Sequence, residues 1–387
     1  MSRLEELIHQ FCPNGVEYRS IGSLIKRVRE KARDDSTVTQ VYVVSNTLGM
    51  VRAEDFRESI VHSEDTSNYL IVRPNMFAYN PSRLNIGSIA MLKSETPGLV
   101  SPMYVVFSVD ESIIEKQYFE YIITSPNIMA KIDSYKEEGA RFRFDFERWH
   151  WIQIPIPPFP IQREIVRILD QFTELTAELT AELTARKKQY EYYRDELFRT
   201  TENAAVCYLN EISENCDNQR KPVTSGNRTA GEYPYYGASG IVDYVDDYIF
   251  DGDYLLISED GANLLARSTP IAFSISGKNW VNNHAHVLRF DTYETRRYVE
   301  SYLNSIDLSP YITGGAQPKL NQKNLNKIPI PLPSPDEQRR IVSILDRFDA
   351  LCNDLTSGLP AEIEARRKQY EYYRDKLLTF KELVKEK

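Results

Sequence analysis

Three windows of this 387-residue chain combine basic and amide side chains with a complete absence of Asp and Glu. They are residues 66–94, 261–290 and 310–327, and in each of them Arg or Lys lies close to Asn, Gln or Ser. Arg and Lys bind phosphate groups or the guanine edge, whereas Asn and Gln bind the adenine edge. The windows therefore suit nucleic-acid recognition, although core strands that simply exclude charge would show the same absence of acids.

Candidate contacts to bases or backbone come from these windows and from the loops around them. In the first half of the chain they are Ser82, Arg83, Asn85, Arg141 and Arg143, and in the second half Tyr236, Lys278, Asn279, Asn282, Asn283, Gln317, Lys319 and Asn321. Arg143 and Lys319 each follow a Gly-Ala pair (residues 139–140 and 315–316), and a basic residue after a small-residue turn suits a phosphate contact. Any one of these side chains could equally be a loop group whose hydrogen bonds are satisfied within the protein.

The composition limits the class of protein. With 42% hydrophobic and 27% charged residues, the chain is globular rather than disordered, and its length predicts two or three domains. The formal net charge is -9, so any nucleic-acid footprint must be local. The four cysteines form no Cys-x-x-Cys pair, which argues against a disulfide framework or a thiolate zinc site. The first residues lack the apolar core of a signal peptide, and we expect a soluble, cytoplasmic protein.

The elements that must position these residues are duplicated. Residues 155–172 recur as residues 331–348, an offset of 176, and both copies contain Pro-x-Pro followed by Gln-x-x-Ile-Val-x-Ile-Leu-Asp-x-Phe. Residues 186–195 recur nearly unchanged as residues 366–375, so the second copy carries four extra residues. A period this long indicates a duplicated domain pair rather than a solenoid.

Each copy contains a long amphipathic helix. Apolar residues recur every three or four positions from Ile165 to Leu197 and from Ile341 to Leu377, which is the a/d stripe of a coiled coil. Prolines precede both stripes and mark the helix starts. Each helix must bury its stripe, so we expect the two copies to pair in antiparallel fashion. Residues 357–360, Ser-Gly-Leu-Pro, should break or kink the second helix.

Upstream of each helix, short apolar runs are broken by Gly, Asn, Pro and Ser, a texture typical of strands with many loops. The predicted fold class is α+β: two globular mixed α/β domains joined by two long antiparallel coiled-coil helices, with a pseudo-twofold relation from the repeat. The predicted segments are an N-terminal helical segment (1–15), a first domain (16–154), a central helical spacer (155–203), a second domain (204–330) and a C-terminal helical spacer (331–387).

The repeated motifs resemble those of a known family. The Pro-rich lead-in with Gln-x-x-Ile-Val-x-Ile-Leu-Asp-x-Phe, followed by Arg-[Lys/Arg]-Lys-Gln-Tyr-Glu-Tyr-Tyr-Arg-Asp, resembles the specificity subunits of type I restriction–modification systems. Residues 79–87 and 233–241 also resemble pieces of that family's target-recognition domains. The resemblance covers essentially the whole chain.

The resemblance implies a non-catalytic subunit whose two target-recognition domains each read half of a bipartite double-stranded DNA target. It also implies that the coiled coil sets the gap between the half-sites and docks two methyltransferase subunits, and that restriction subunits join the larger assembly. The chain itself would carry no cofactor, because S-adenosylmethionine, ATP and Mg²⁺ are expected on the partner subunits. No contact with a membrane is expected.

Two features of the helices have both a structural and a functional interpretation. Tyr190, Tyr193, Tyr370 and Tyr373 could pack aromatic edges into the coiled coil or dock a methyltransferase subunit.

Thr-Ala-Glu-Leu occurs twice in succession at residues 176–183. One unit adds about 6 Å of helix, or one to two base pairs of roughly 3.4 Å, so the repeat could be a ruler for the gap. Replication slippage in a permissive helix is the alternative.

Motifs for catalysis are missing from the sequence. Ile156-Pro-Pro-Phe159 lacks the Asn, Asp or Ser that an adenine methyltransferase places before Pro-Pro, and neither Gly-x-Gly-x-x-Gly, a Walker A lysine nor His-Glu-x-x-His occurs. His284 and His286 would share a strand face, but a histidine pair without Cys or carboxylate neighbours more often packs than binds zinc, so no metal is predicted. The alternatives to a specificity subunit are a divergent methyltransferase or nuclease, and a structural coiled-coil scaffold.

Overall fold

The computed structural model describes residues 2–56, 65–135, 142–315, 317–354 and 356–383. The chain forms two compact units, one of Met1–Glu178 with Ile363–Lys387 and one of Leu179–Glu362. The boundaries between these units fall within the long helices and not between elements, so the five segments expected from the sequence stay a prediction. Within the described ranges, no helix combines the length and apolarity needed to cross a membrane.

The first unit combines short strands with helices. Its strands are β1 (Glu17–Ser20), β2 (Ile25–Val28), β3 (Tyr42–Ser45), β4 (Gly49–Arg52), β5 (Leu70–Val72), β6 (Phe77–Tyr79), β7 (Ile89–Met91), β8 (Gly98–Val100), β9 (Val105–Val109) and β10 (Gln153–Ile156). Its helices are α1 (Arg3–Phe11), α2 (Ala53–Phe56), α3 (Lys116–Ile123), α4 (Pro126–Asp133), the first part of α5 (Phe159–Arg199) and, from the end of the chain, most of α11 (Leu359–Leu377). Antiparallel pairing gives a central sheet of order β2-β9-β6-β7, and β1 pairs with β10.

Aromatic side chains form the core of this unit. Phe77 on β6 stacks on Phe107 of β9 with ring centroids 5.4 Å apart, and both pack edge-on against Phe119 of α3. Glu115 caps α3 by accepting hydrogen bonds from the backbone N–H groups of the first helical turn, so the helix starts where it can cover the sheet. The apolar runs of the sequence thus become short strands, of which β6 and β7 are fully buried and β9 is buried over its first three residues.

The second unit repeats this plan with insertions. Its strands are β11 (Ala205–Cys207), β12 (Glu214–Asn215), β13 (Ala230–Gly237), β14 (Gly240–Val245), β15 (Phe250–Asp251), β16 (Tyr254–Ser258), β17 (Ala272–Ile275), β18 (Lys278–Val281), β19 (Ala285–Arg289) and β20 (Ile330–Leu332). Its helices are the rest of α5, α6 (Leu209–Ile212), α7 (Asn263–Ala266), α8 (Tyr293–Ser305), α9 (Gln322–Leu325) and α10 (Pro335–Asn353), and α11 (Leu359–Leu377) begins in it. The central sheet has the order β12-β19-β16-β17, and a second sheet has the order β14-β13-β18-β15.

The two central sheets correspond strand by strand. In each unit the first strand pairs with the strand that leads into the long helix, as β1 with β10 and β11 with β20. The next strand, β2 or β12, lies at the edge of the central sheet. The same backbone contact occurs in both units, in the chain segment before β10 and in the segment before β20. Phe144 N–H donates to the Pro81 carbonyl at 2.9 Å, and Leu320 N–H donates to the Glu259 carbonyl at 2.8 Å. Arg143 and Lys319, one residue earlier, therefore occupy equivalent positions.

The repeated glutamine explains why its motif recurs. Gln162 Nε2 donates to the Pro157 carbonyl at 2.7 Å, while its Oε1 accepts from Glu115 N–H at 2.7 Å. Gln338 Nε2 donates to the Pro333 carbonyl at 2.8 Å, and its Oε1 accepts from the Thr295 hydroxyl at 2.8 Å. Both amides are buried. Each ties the Pro-rich lead-in to the helix that covers its sheet, which fixes where the long helix leaves the domain.

The two spacers differ in continuity, as the sequence predicts. Helix α5 runs without interruption over 41 residues, whereas the second spacer is divided into α10 and α11. A Cβ at Gly358 would lie 2.6 Å from the Ala350 carbonyl oxygen and 2.7 Å from that of Asp354, so the interruption between α10 and α11 falls where only glycine fits.

The same aromatic contact occurs once in each unit. Phe172 of α5 stacks on Tyr373 of α11 with ring centroids 5.7 Å apart, and Phe348 of α10 stacks on Tyr193 of α5 at 5.9 Å. In each case the Phe of one copy of the repeat contacts the tyrosines of the other copy, as antiparallel pairing of the copies requires. The predicted fold class is confirmed.

Candidate nucleic-acid interface

In the second unit, three loops meet at one end of β16. Glu259, directly after β16, donates its N–H to the His284 carbonyl at 2.9 Å, and Gly261 N–H donates to the Pro318 carbonyl at 3.1 Å. Thr313 and Lys319 exchange backbone hydrogen bonds at 2.7 and 2.8 Å, which closes a tight loop between them. Gly314 has φ +85°, and a Cβ there would lie 2.4 Å from the Gln317 carbonyl oxygen, so this turn requires glycine. We call residues 313–321 the basic loop.

The basic loop presents part of the candidate set to solvent. Gln317, Lys319 and, across the loop junction, Asn283 are exposed. Lys319 Nζ lies 3.1 Å from Glu259 Oε1, with half of its side chain still accessible. Asn321 instead caps α9, because its Oδ1 accepts from Asn324 N–H at 3.0 Å. The loop therefore offers a cation and an amide, while Asn321 has a structural task.

Other candidates in this unit are buried or lie elsewhere. Asn279 is fully buried and donates to the Gly277 carbonyl at 2.8 Å, so its prediction as a direct DNA contact is not supported by its position. Asn282 is also buried, and its Oδ1 accepts from His284 N–H. Lys278 is exposed, but at the opposite end of β18, with Nζ 4.5 Å from the Tyr248 ring centroid. Tyr236 is half-buried against Phe273.

An ionic network of half-buried side chains around the buried His286 lies against the basic loop. Arg220 Nη1 is 2.7 Å from Glu259 Oε2, and its Nη2 is 3.3 Å from Asp217 Oδ2. His286 Nδ1 is 2.6 Å from the same Asp217 oxygen. Burial raises the pKa of Asp217, but the hydrogen bond and charge of His286 outweigh it and hold that pKa below its ordinary value. Burial likewise raises the pKa of Glu259, and hydrogen bonding from Arg220 with the charge of His286 brings it below its ordinary value.

The sequence analysis missed this network, including the carboxylates beside both histidines. Asp217, Glu259 and His286 place one potential ligand atom each within 4.8 Å of one another, and His284 Nδ1 lies 2.9 Å from Asp260 Oδ2. Arg220 already lies against the first two carboxylates, so a side-chain cation holds the position that a metal ion would need. One signal was available: the acid-free window from residue 261 begins directly after Glu259 and Asp260.

In the first unit, the equivalent loop has no acid at the corresponding position, because Pro81 stands where the second unit has Glu259. Arg83 is exposed, and its guanidinium has no protein partner within the described part of the chain. Ser82 is exposed beside it and donates its N–H to Asn80 Oδ1 at 3.0 Å. Arg143 is exposed and pairs with Asp145 at 3.1 Å.

Of the two remaining candidates of this unit, the structure describes only Asn85. Asn85 Nδ2 donates to Asp133 Oδ1 at 3.1 Å, so part of its amide is already occupied. Arg141 lies outside the described residues, as do Gly139 and Ala140 before it. The first unit thus presents Ser82, Arg83 and Arg143 at the end of β6 that corresponds to the basic loop.

The four helical tyrosines take part in the coiled-coil packing. Tyr190 and Tyr370 are half-buried, and burial raises the pKa of both. Tyr193 and Tyr373 stack on Phe348 and Phe172 but keep 43% and 37% of their surface exposed. One side of each of these two rings therefore packs in the coiled coil, and the other side is exposed and available to a partner.

The family model of the type I restriction modification DNA specificity domain matches the chain twice, at residues 14–186 and 202–365. An Escherichia coli type I restriction enzyme specificity subunit (EcoR124I/EcoR124II) is 35% identical over 315 residues, 72% of this chain and 74% of that protein. A Haemophilus influenzae protein named as a putative type I specificity subunit is 41% identical over 181 residues, which span only 46% of each chain.

A solved structure is similar along nearly the whole length. The S subunit of a type I restriction–modification system from M. genitalium covers 94% of this chain and 95% of its own, with a TM-score of 0.54 and 15% sequence identity. At that identity the likeness concerns the fold alone. The two copies of the family domain account for both units, and the chain accordingly belongs to the type I restriction–modification DNA specificity family.

Proposed function

We propose that this chain is the non-catalytic specificity subunit of a type I restriction–modification complex, and that each unit reads one half of a bipartite DNA target. The carrying observation is that two units of one topology present different sets of polar side chains at the same end of the central sheet. Arg143 and Lys319 occupy one equivalent position, and in addition the first unit exposes Arg83 and the second unit exposes Gln317. Equal scaffolds with unequal surfaces suit two unequal half-sites.

The helices suit the other part of this function. Helix α5 is continuous from the first unit into the second, and the exposed edges of Tyr193 and Tyr373 suit docking of two methyltransferase subunits. Restriction subunits would join that complex. S-adenosylmethionine, ATP and Mg²⁺ would then be bound by the partner subunits, and the complex would act on DNA in the cytoplasm.

Methylome sequencing tests this proposal. A host that expresses the chain with its methyltransferase subunit should carry methylated adenines in one bipartite sequence, because the specificity subunit selects the site. The matched control expresses the methyltransferase alone and should show no such motif. Methylation that is identical with and without this chain would refute the proposal.

Binding measurements distinguish the proposed function from the alternative of a structural coiled-coil scaffold. Duplex DNA binding by the complex should weaken steeply with salt, because phosphate neutralisation releases counterions. Removal of this chain should abolish the sequence preference. S-adenosylmethionine turnover by the purified chain alone would instead support a divergent methyltransferase.

A further inference from the structure

Each unit has a β-hairpin outside its central sheet. In the first unit the hairpin consists of β3 and β4, and in the second unit it consists of β13 and β14. The two hairpins are equivalent in topology. Strand β13 pairs in parallel with β18, and Val41, directly before β3, pairs in parallel with Leu99 of β8. Strands β8 and β18 each follow the edge strand of their central sheet, β7 or β17.

The turn of the second hairpin is anchored beside the basic loop. The Ser258 hydroxyl donates to the Ala238 carbonyl, and Asn282 N–H donates to the Tyr236 carbonyl at 3.1 Å. Ser258 is the last residue of β16, at the end of the strand where the basic loop also closes. Residues 237–242, which we call the second hairpin tip, therefore lie at the same end of the central sheet as the basic loop.

The turn of the first hairpin lies at the corresponding end of β6. A Cβ at Gly87 would lie 3.6 Å from Asn46 Cβ, so the turn contacts the loop that follows β6. The Ser45 hydroxyl accepts from Leu48 N–H at 3.2 Å and holds the turn in place. We call residues 45–49 the first hairpin tip.

Both hairpin tips expose aliphatic side chains. Ile241 and Val242 in the second tip are 48% and 57% exposed, and Leu48 in the first tip is 65% exposed. Ile86, on the loop beside the first tip, is 58% exposed. Single exposed aliphatic side chains are common on protein surfaces. Here, however, they occupy equivalent places in the two units, which indicates a shared role.

The charges around the hairpin tips suit a polyanionic partner. Neither tip contains Asp or Glu. Asp243, the acid that follows the second tip, is paired with Arg228 at 3.0 Å. The exposed cations Arg83 and Lys319 lie at the same end of their central sheets as the tips. Duplex DNA combines phosphates, which attract these cations, with an apolar group inside a groove that the aliphatic side chains can contact.

That apolar group is the C5 methyl group of thymine. It lies in the major groove, which is about 12 Å wide and admits a two-stranded β-ribbon. We propose that both hairpin tips enter the major groove, where Leu48 in the first unit and Ile241 with Val242 in the second contact thymine methyl groups. Each half-site then contains an A·T pair at the position of its tip. This inference rests on the function proposed above and extends it from polar to apolar base contacts.

Replacement of thymine by deoxyuridine tests this contact, because deoxyuridine lacks only the methyl group and pairs with adenine in the same way. The complex of the full chain and its methyltransferase would bind duplexes with deoxyuridine in the first half-site, in the second or in neither. Wild-type complex should bind about fourfold more weakly for each contacted methyl group that is removed, the effect of one buried CH₂-sized group.

Variants assign the effect to each tip. Ile241→Ser with Val242→Ser should weaken binding and abolish the deoxyuridine effect in the second half-site alone, and Leu48→Ser should do so in the first. Each variant is therefore a control for the other. Val206→Ser is the matched control, because Val206 is 55% exposed but lies on β11, which pairs with β20 and not with a hairpin. It should bind as wild type does. All four positions are exposed, so urea unfolding should change little.

Several results would overturn the inference while the proposed function stands. They are equal binding of thymine and deoxyuridine duplexes by the wild-type complex, a half-site without an A·T pair, and a deoxyuridine effect that persists in the serine variants. Serine variants that assemble less well with the methyltransferase but keep the deoxyuridine effect would assign the tips to a protein contact instead. A wild-type complex without any sequence preference would refute the proposed function itself.

Discussion

The two units place the same sheet beneath loops that share one acid-paired cation, Arg143 with Asp145 and Lys319 with Glu259, and that differ in a further cation. At the end of β6 the first unit exposes Arg83, whose guanidinium has no protein partner within the described ranges, whereas at the end of β16 Lys319 is held by Glu259. The docking of sheet, lead-in and helix is the same in both, through Gln162 and Gln338. The duplicated sequence thus encodes the scaffold, and under the proposed function the sequence that diverged between the copies would encode recognition.

The largest effect should come from changing the one spacer that is continuous. Insertion of one Thr-Ala-Glu-Leu unit after residue 183 lengthens α5 by about 6 Å. We predict that the methylated sequence keeps both half-sites but gains one or two base pairs between them, so the original target is no longer modified. Methylome sequencing measures this.

The control for that insertion keeps the length and changes the composition. Thr180→Ala with Thr184→Ala alters two α5 positions at constant length, and the target should stay the same. An altered half-site with an unchanged gap in the insertion variant would contradict the ruler and favour slippage.

The next prediction compares the contacts of Asp170 and Asp346, which occupy the same position in the two copies of the repeat. Arg297 of α8 contacts Asp346 at 2.9 Å, Asp349 at 3.1 Å and Glu300, while Tyr121 of α3 makes one hydrogen bond to Asp170. Arg297→Leu leaves three carboxylates without their shared cation and should cost about 3 kcal/mol of local stability. Tyr121→Phe should cost about 1.5 kcal/mol.

Hydrogen exchange of the amides in α8 and α3 measures these two costs separately, because each helix reports on its own unit. The carboxylates around Arg297 raise its pKa above the ordinary value despite burial, which is consistent with the larger cost. Equal protection losses in the two helices would show that the arginine cluster contributes no more than one hydrogen bond.

A third prediction concerns what the units share. Gln162→Leu and Gln338→Leu should each cost about 2 kcal/mol, because both leave a proline carbonyl and a second polar group without the glutamine partner. Gln162 also donates to the Ile113 carbonyl at 3.3 Å, so the effects should be similar in the two units and slightly larger for Gln162. Gln317→Leu, at an exposed position, is the matched control and should leave urea unfolding unchanged. A marked inequality between Gln162 and Gln338 would mean that the motif is repeated in sequence but not in structure.

The scaffold could be predicted from the sequence because its signals are local. Apolar spacing of three and four, prolines at the helix starts and the Ser-Gly-Leu-Pro interruption each act within a few residues, and the structure has α5, α10 and α11 accordingly. The antiparallel pairing followed from the repeat, since each stripe needs a partner of its own length.

The interface was predicted less completely because its contacts join distant residues. Asp217, Glu259 and His286 lie tens of residues apart and meet only through the register of β19 with β16 and the turn after β12. Burial of Asn279 follows from pairing of β18 between β13 and β15, which its sequence neighbours do not reveal. Asn321 could have been recognised as an N-cap, because it precedes a short helical run.

The smallest predicted effect tests the difference between Arg83 and Lys319 in their ion-pair partners. Arg83→Ala removes a cation that has no competing partner within the described chain, so the complex should lose about one unit of salt slope. Lys319→Ala removes a cation that Glu259 already attracts at 3.1 Å, and part of its charge is offset in the free protein. The slope should therefore fall by less, although both variants weaken binding.

Binding over a series of salt concentrations, with each half-site scrambled in turn, measures both slopes on the same complex. Each variant is the other's control, since Arg83→Ala should act through the first half-site and Lys319→Ala through the second. An equal change for the two variants would mean that Glu259 releases Lys319 completely when DNA binds. The ion pair would then be a feature of the free protein alone, and the electrostatic difference between the units would vanish in the complex.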